Sequence, residues 1–144
     1  MKVKLLSLIF VIFLVLVLVS CQIVPIGLPE WMRAEAEVQS YWEAITNRRY
    51  ELAKYYCILD GIWYNKVDER EEYIDANSGD GVSLTISPPH FSERTEVVGD
   101  NAIANITIFV DKITFPNDHP VHRNETFIYE VELIRSSSGF WKLK

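Results

Sequence analysis

Basic residues, histidine and cysteine are scarce in this chain. Of 144 residues, 14 are Lys or Arg against 20 Asp or Glu, and the longest basic run is Arg48-Arg49. Nucleic acid is excluded as a partner on that ground, because phosphate recognition needs a clustered basic footprint. Three histidines and two cysteines leave little for metal coordination. His119 and His122, with Asp118 before them, are the one grouping with ligand-like spacing, but Pro120 lies between the histidines. The stretch from Pro116 to Asn124 reads as a solvated loop between strands. A structural zinc needs four ligands and a catalytic one three, so no metal and no cofactor is expected. Cys57 sits in Tyr55-Tyr56-Cys57-Ile58-Leu59 with no His or basic residue beside it. That setting predicts a buried, inert thiol, since a reactive cysteine needs an electropositive and accessible surround.

The one long apolar run is at the N-terminus. Lys2 and Lys4 precede Leu5 to Val19, which is apolar apart from Ser7, and this is the layout of a secretory signal. Its end, Leu18-Val19-Ser20-Cys21, resembles a bacterial lipoprotein lipobox, in which the cysteine is acylated and begins the mature chain. The competing reading is an uncleaved anchor, but the run stops at 15 residues, short of the roughly 20 that a spanning helix needs. The expected organisation is therefore a signal at 1–20, a lipidated Cys21 with a short tether at 21–30, and one domain at 31–144. Without Lys2 and Lys4, 12 basic residues face 20 acidic ones, a net charge of −8. Such a surface gains nothing from anionic headgroups, so the membrane is met through the lipid. A tether of eight residues reaches less than about 30 Å, which keeps the domain close to the cell membrane or outer membrane, outside the cytoplasm.

Periodicity divides the domain in two. Trp31, Ala34, Val38, Tyr41, Trp42 and Ile45 recur with the 3.6-residue period and predict a helix over Glu30–Thr46. A shorter helix is predicted over Tyr50–Cys57, with Asn47 as its cap. Ile58 to Tyr64 reads as a short strand, and Val67 to Ala76 as a polar helix with its acids toward the N-terminal end. The period then becomes two. Val82, Leu84 and Ile86 form one strand before Pro88-Pro89, and Phe91 to Val98 leads into the turn Gly99-Asp100-Asn101. A long strand follows over Ala102 to Phe115, with Ala102, Ala104, Ile106, Ile108 and Val110 on one face. Phe127, Tyr129, Val131 and Leu133 form the next inward face, and Trp141 and Leu143 close the chain. Helices followed by an antiparallel meander predict an α+β fold with the helices on one face of the sheet.

In that order the chain resembles the nuclear-transport-factor-2-like (cystatin-like) α+β cone, and within it small bacterial lipoproteins of unknown function. The resemblance is carried by Val38-Gln39-Ser40-Tyr41-Trp42-Glu43-Ala44-Ile45, by Arg49-Tyr50-Glu51-Leu52-Ala53-Lys54-Tyr55-Tyr56 and by Val97-Val98-Gly99-Asp100-Asn101-Ala102. It ends in Val131-Glu132-Leu133-Ile134-Arg135 and Gly139-Phe140-Trp141-Lys142-Leu143. It implies a curved sheet and a long helix enclosing a conical pocket. Family members include isomerases, dehydratases and cyclases as well as domains that bind without catalysis, and a shared fold does not choose among them.

The residues expected to line the cone are Trp42, Ile106, Ile108, Tyr129, Val131 and Trp141. No carboxylate or histidine is expected among them, because Glu130 and Glu132 fall on the opposite parity; only Asp60, near Trp63, has a route inward. General acid–base chemistry needs its groups inside the pocket, so the predicted role is a non-catalytic binding or accessory module for an apolar ligand or a protein partner. The alternatives are a small isomerase or dehydratase and a structural, self-associating envelope protein. Self-association would use the open sheet face, where Ile103, Phe109, Ile128 and Ile134 place hydrocarbon that water disfavours.

Overall fold

A computed structural model describes residues 27–116 and 119–144. The expected leader and Cys21 lie outside the described residues, as does Asp118. Three helices precede six strands: α1 Glu30–Thr46, α2 Tyr50–Tyr55 and α3 Ile62–Ala76, then β1 Val82–Ile86, β2 His90–Phe91, β3 Glu96–Val98, β4 Asn101–Thr114, β5 Val121–Arg135 and β6 Trp141–Leu143. Among the described residues no helix is long and apolar enough to cross a membrane.

The sheet is built on β4. Its partner β5 runs antiparallel along its whole length, from Asn101 opposite Ile134 to Thr114 opposite Val121. The other edge of β4 is covered in turn by β1, β2 and β3, and β6 adds outside β5. Strand alternation then sorts the side chains. Ala102, Ala104, Ile106, Ile108 and Val110 are buried on the inner face with Val131 and Leu133. The outer face leaves Phe109 51% and Ile128 77% exposed, with Ile103 exposed and Ile134 half-buried. α1 lies across the inner face and buries Ala34, Val38, Tyr41, Trp42, Ala44 and Ile45. This is the α+β cone expected from the sequence. Burial of such side chains, at about 1.5–3 kcal/mol each, fixes the register, because a one-residue slip would turn the whole set outward.

Five local expectations are corrected. Asn47 ends α1 rather than opening α2: its side-chain amide donates to the Glu43 carbonyl at 2.8 Å, and Arg49 takes the cap position. Ile58 to Tyr64 holds no strand. Cys57 makes a single parallel bridge to Leu143, and α3 begins at Ile62, five residues before the predicted start. The early start removes the acids from the first turn, which is Ile62-Trp63-Tyr64. Its second N–H, from Trp63, finds the carbonyl of the last residue, Lys144, at 3.4 Å. Asp60 stands exposed in the preceding turn with φ 58° and does not enter the cone. Finally, β5 begins at Val121, so the connection from β4 is shorter than the predicted loop and His122 belongs to a strand.

Candidate functional site

The cone interior is closed at one end by hydrocarbon and opens beside α3. A cavity of about 230 Å³ lies there, lined by Trp42 and Ile45 of α1, Lys66, Glu69, Arg70, Tyr73 and Ile74 of α3, and the sheet residues Ile86, Ile108, Val110, Phe127 and Tyr129. Of the six residues expected to line the pocket, Trp42, Ile108 and Tyr129 do so. Ile106, Val131 and Trp141 are buried in the core away from it. Toward β6, α1 packs directly on the sheet and buries these three side chains, whereas the cavity lies between α3 and the other end of β4 and β5.

An aromatic cluster backs the inner wall, which Trp42 and Tyr129 line and behind which Tyr41 and Trp63 are buried. Tyr41 meets Trp42 and Trp63 edge-on, each at 5.6 Å between ring centres, and Tyr129 lies 5.7 Å from Trp42 and 5.5 Å from Trp63. Into this cluster α3 sends the guanidinium of Arg70, whose central carbon is 4.8 Å from the Trp42 ring, 4.9 Å from Trp63, 5.3 Å from Tyr129 and 5.8 Å from Tyr41. Lys66, one turn earlier, lies over Trp63 at 5.3 Å and Tyr129 at 5.6 Å. Each such contact draws the cation to the negative ring face. From the sequence this segment is a polar helix with its acids toward the N-terminal end, and neither cation is singled out. The available signal was Trp63, Lys66, Arg70 and Ile74 at helical spacing, one stripe that mixes aromatic, cationic and aliphatic residues.

At the outer wall Tyr73 packs edge-on against Phe127 and donates to Glu125 at 2.9 Å. Burial, then the bond to Glu125, pushes the Tyr73 phenol up to about 12. Glu125 has the same parity as Phe127 and Tyr129, so a carboxylate does stand on the inward side of β5, contrary to expectation. Tyr129 itself lines the cavity wall, and the carboxylates of Glu130 and Glu132 sit on the outer parity as expected. Deeper in the core, burial raises the Tyr41 hydroxyl well above its ordinary value. Cys57 is also buried; desolvation pushes its thiol up to about 12, and its Sγ lies 3.4 Å from the Ala53 carbonyl. A thiol so raised carries almost no thiolate near neutrality.

The histidines do not converge. His122, on β5, pairs with Asp111 at 2.9 Å through Nδ1 on the outer face, and His119 lies in the exposed connection. Among the described residues no three His, Cys, Asp or Glu come together in a way that would hold a metal.

Solved structures with this architecture include the intermembrane-space region of the chloroplast protein ARC6, with a TM-score of 0.51 at 17% identity over 77% of this chain and 89% of that one. A protein from Streptomyces avermitilis assigned as a dehydratase of the NTF2-like family gives a TM-score of 0.52 at 14% identity, over 78% of this chain and 89% of that one. These likenesses establish the nuclear-transport-factor-2-like fold. No protein-family model matches the sequence, and no curated protein matches it.

Proposed function

We infer that the chain is an exported, lipid-anchored module that binds a small, largely apolar molecule in its cone. The observation that carries the reading is the cavity: hydrocarbon and aromatic rings form most of its wall, with a few convergent polar groups, the usual character of a small-molecule site. The rival reading, an isomerase or dehydratase, is favoured by the fold neighbour assigned as a dehydratase, but fold alone does not assign chemistry. Such chemistry needs a free base and a separate donor for the developing negative charge. Here Glu69 lines the cavity but stands exposed on α3, while Tyr73 and Glu125 beside it bond to each other. That bond commits the phenol's proton and occupies one carboxylate oxygen.

Binding is tested with 1-octanol, an uncharged probe, read by tryptophan emission because Trp42 and Trp63 are the indoles nearest the cavity. Saturable binding is expected, and Val110→Phe, which fills part of the cavity, is expected to weaken it by about tenfold or more while costing roughly 1–3 kcal/mol of stability from overpacking. Absence of saturable binding would sink the reading. Hydrogen exchange at the α-carbon of a carbonyl ligand in deuterated water would replace it with the enzymatic one.

Anchoring rests on the sequence Leu18-Val19-Ser20-Cys21 after a short apolar run. Mass spectrometry of the N-terminal peptide is expected to find an acylated Cys21, and Cys21→Ala to shift the protein to the soluble or unprocessed fraction. An intact Met1 in the membrane form would instead establish an uncleaved anchor. Two acyl chains hold a protein firmly where one does not, so partial release would indicate single acylation. A partner in this reading, a second copy included, meets the outer face of the sheet around Phe109 and Ile128.

A further inference from the structure

We propose that the cavity takes a small aliphatic monocarboxylate, with its carboxylate held by Arg70 and Lys66 and its hydrocarbon against Ile86, Ile108 and Val110. The proposal rests on the binding reading above and adds the charge and size of the ligand.

The first support is a pair of cations in the cavity wall that form no ion pair among the described residues. Several basic residues of the domain have acidic partners: Arg33 and Arg135 meet Glu30 at 2.6 and 2.7 Å, Lys54 meets Asp68 at 2.7 Å, and Lys144 meets Glu132 at 3.2 Å. Among the described residues, Lys66 and Arg70 have no carboxylate within 4.0 Å. Glu69 also lines the cavity but pairs with neither. Like charges at i and i+4 on a helix repel, and an anion between the two side chains would turn that cost into attraction.

The second support is independent of charge. Tyr41 Oη, Trp42 Nε1 and Arg70 Nε are buried and have no hydrogen-bond partner among the described residues. All three belong to one cluster of touching side chains, and Trp42, only 4% exposed, lines the cavity together with Arg70. Burial keeps the Tyr41 hydroxyl protonated, so all three groups are donors. A cluster of unpaired donors calls for an acceptor, and an ionised carboxylate offers only acceptors.

Geometry leaves room for the bond. The aromatic rings occupy the surroundings of the guanidinium, whereas its N–H groups point along its edge. Of these, one bonds within the described residues, to the Lys66 carbonyl at 3.0 Å. Size narrows the ligand further. At about 230 Å³ the cavity falls below the roughly 300–1,000 Å³ of sites for drug-sized ligands, which excludes a long-chain lipid lying wholly inside. Apart from Glu69, which is exposed on α3, the remaining wall is aliphatic or aromatic, which suits a hydrocarbon tail.

The test compares octanoate with 1-octanol on the purified full chain by titration calorimetry. Octanoate is expected to bind about tenfold tighter or better, in keeping with a charge-assisted contact. Arg70→Met is expected to bring the two within about twofold, through loss of octanoate affinity and not of octanol affinity. If Arg70→Met loses the near-ultraviolet signature of the aromatic cluster, Lys66→Met takes its place: a reduced preference for octanoate supports the proposal, and an unchanged one overturns it. Equal affinity of the native protein for the two probes overturns the carboxylate assignment, makes the Arg70 cage purely structural and leaves the binding reading standing. Failure of both probes removes the binding reading itself.

Discussion

Trp42→Ala is expected to destabilise the fold by about 3–5 kcal/mol, the usual range for truncating a large buried aromatic ring. The ring is 4% exposed and touches Tyr41, Trp63 and Tyr129 at 5.6, 6.4 and 5.7 Å between centres. Each favourable ring pair adds about 0.5–1.5 kcal/mol beyond the area it buries. The hole left by the substitution would adjoin the existing cavity, and two joined voids held apart by a sheet and two helices cannot close by a small shift. Arg70 would also lose its closest ring, so octanoate affinity should fall with stability. Trp42→Phe keeps a ring and gives up an indole N–H that has no partner among the described residues, so its loss should be clearly smaller. Urea melts of the two variants decide the matter. A loss below about 1 kcal/mol for Trp42→Ala would mean that the ring does not support the core.

The frame of the molecule was legible because its signals are local. The 3.6-residue spacing from Ala34 to Ile45 specifies α1, and the alternation in Val82-Ser83-Leu84-Thr85-Ile86 specifies β1. What was missed depends on partners distant in sequence. The aromatic and β-branched opening of α3, Ile62-Trp63-Tyr64, has strand character when read alone. It becomes helical beside the chain's own C-terminus, where the Trp63 N–H meets the Lys144 carbonyl. The cations of the site were hidden for a related reason. Lys66 and Arg70 look solvated in a helix that also carries Asp68, Glu69, Glu71 and Glu72, and only the curvature of β4 and β5 turns their stripe toward Trp42 and Tyr129. Glu125 was overlooked although it follows the predicted loop, which ended at Asn124: carrying the parity of Phe127 two residues back would have placed it on the inward side.

Trp141→Ala is expected to cost a similar amount, about 3–5 kcal/mol, but with a different signature. Trp141 is 1% exposed on β6, a strand of only three residues that holds to β5 through Arg135, Ile134 and Leu133. Its indole Nε1 donates to Glu30 Oε2 at 3.2 Å, and the Arg135 guanidinium stacks 5.0 Å from its ring. Glu30 is the first residue of α1 and also pairs with Arg33 and Arg135. The ring therefore fastens the start of the long helix, directly after the Pro29 at which the expected tether ends, to the last strand of the sheet. Trp141→Ala removes the packing, one hydrogen bond to a charged group and the surface on which Arg135 rests. Trp141→Phe retains most of the packing and loses the bond, for which about 1.5–3 kcal/mol is typical. Neither variant touches the cavity wall, so molecules that remain folded should bind octanol and octanoate with native affinity. Lowered affinity in folded Trp141→Phe would show that the two ends of the cone are coupled. A loss of stability below about 1 kcal/mol in Trp141→Ala would show that β6 contributes little to holding α1 on the sheet.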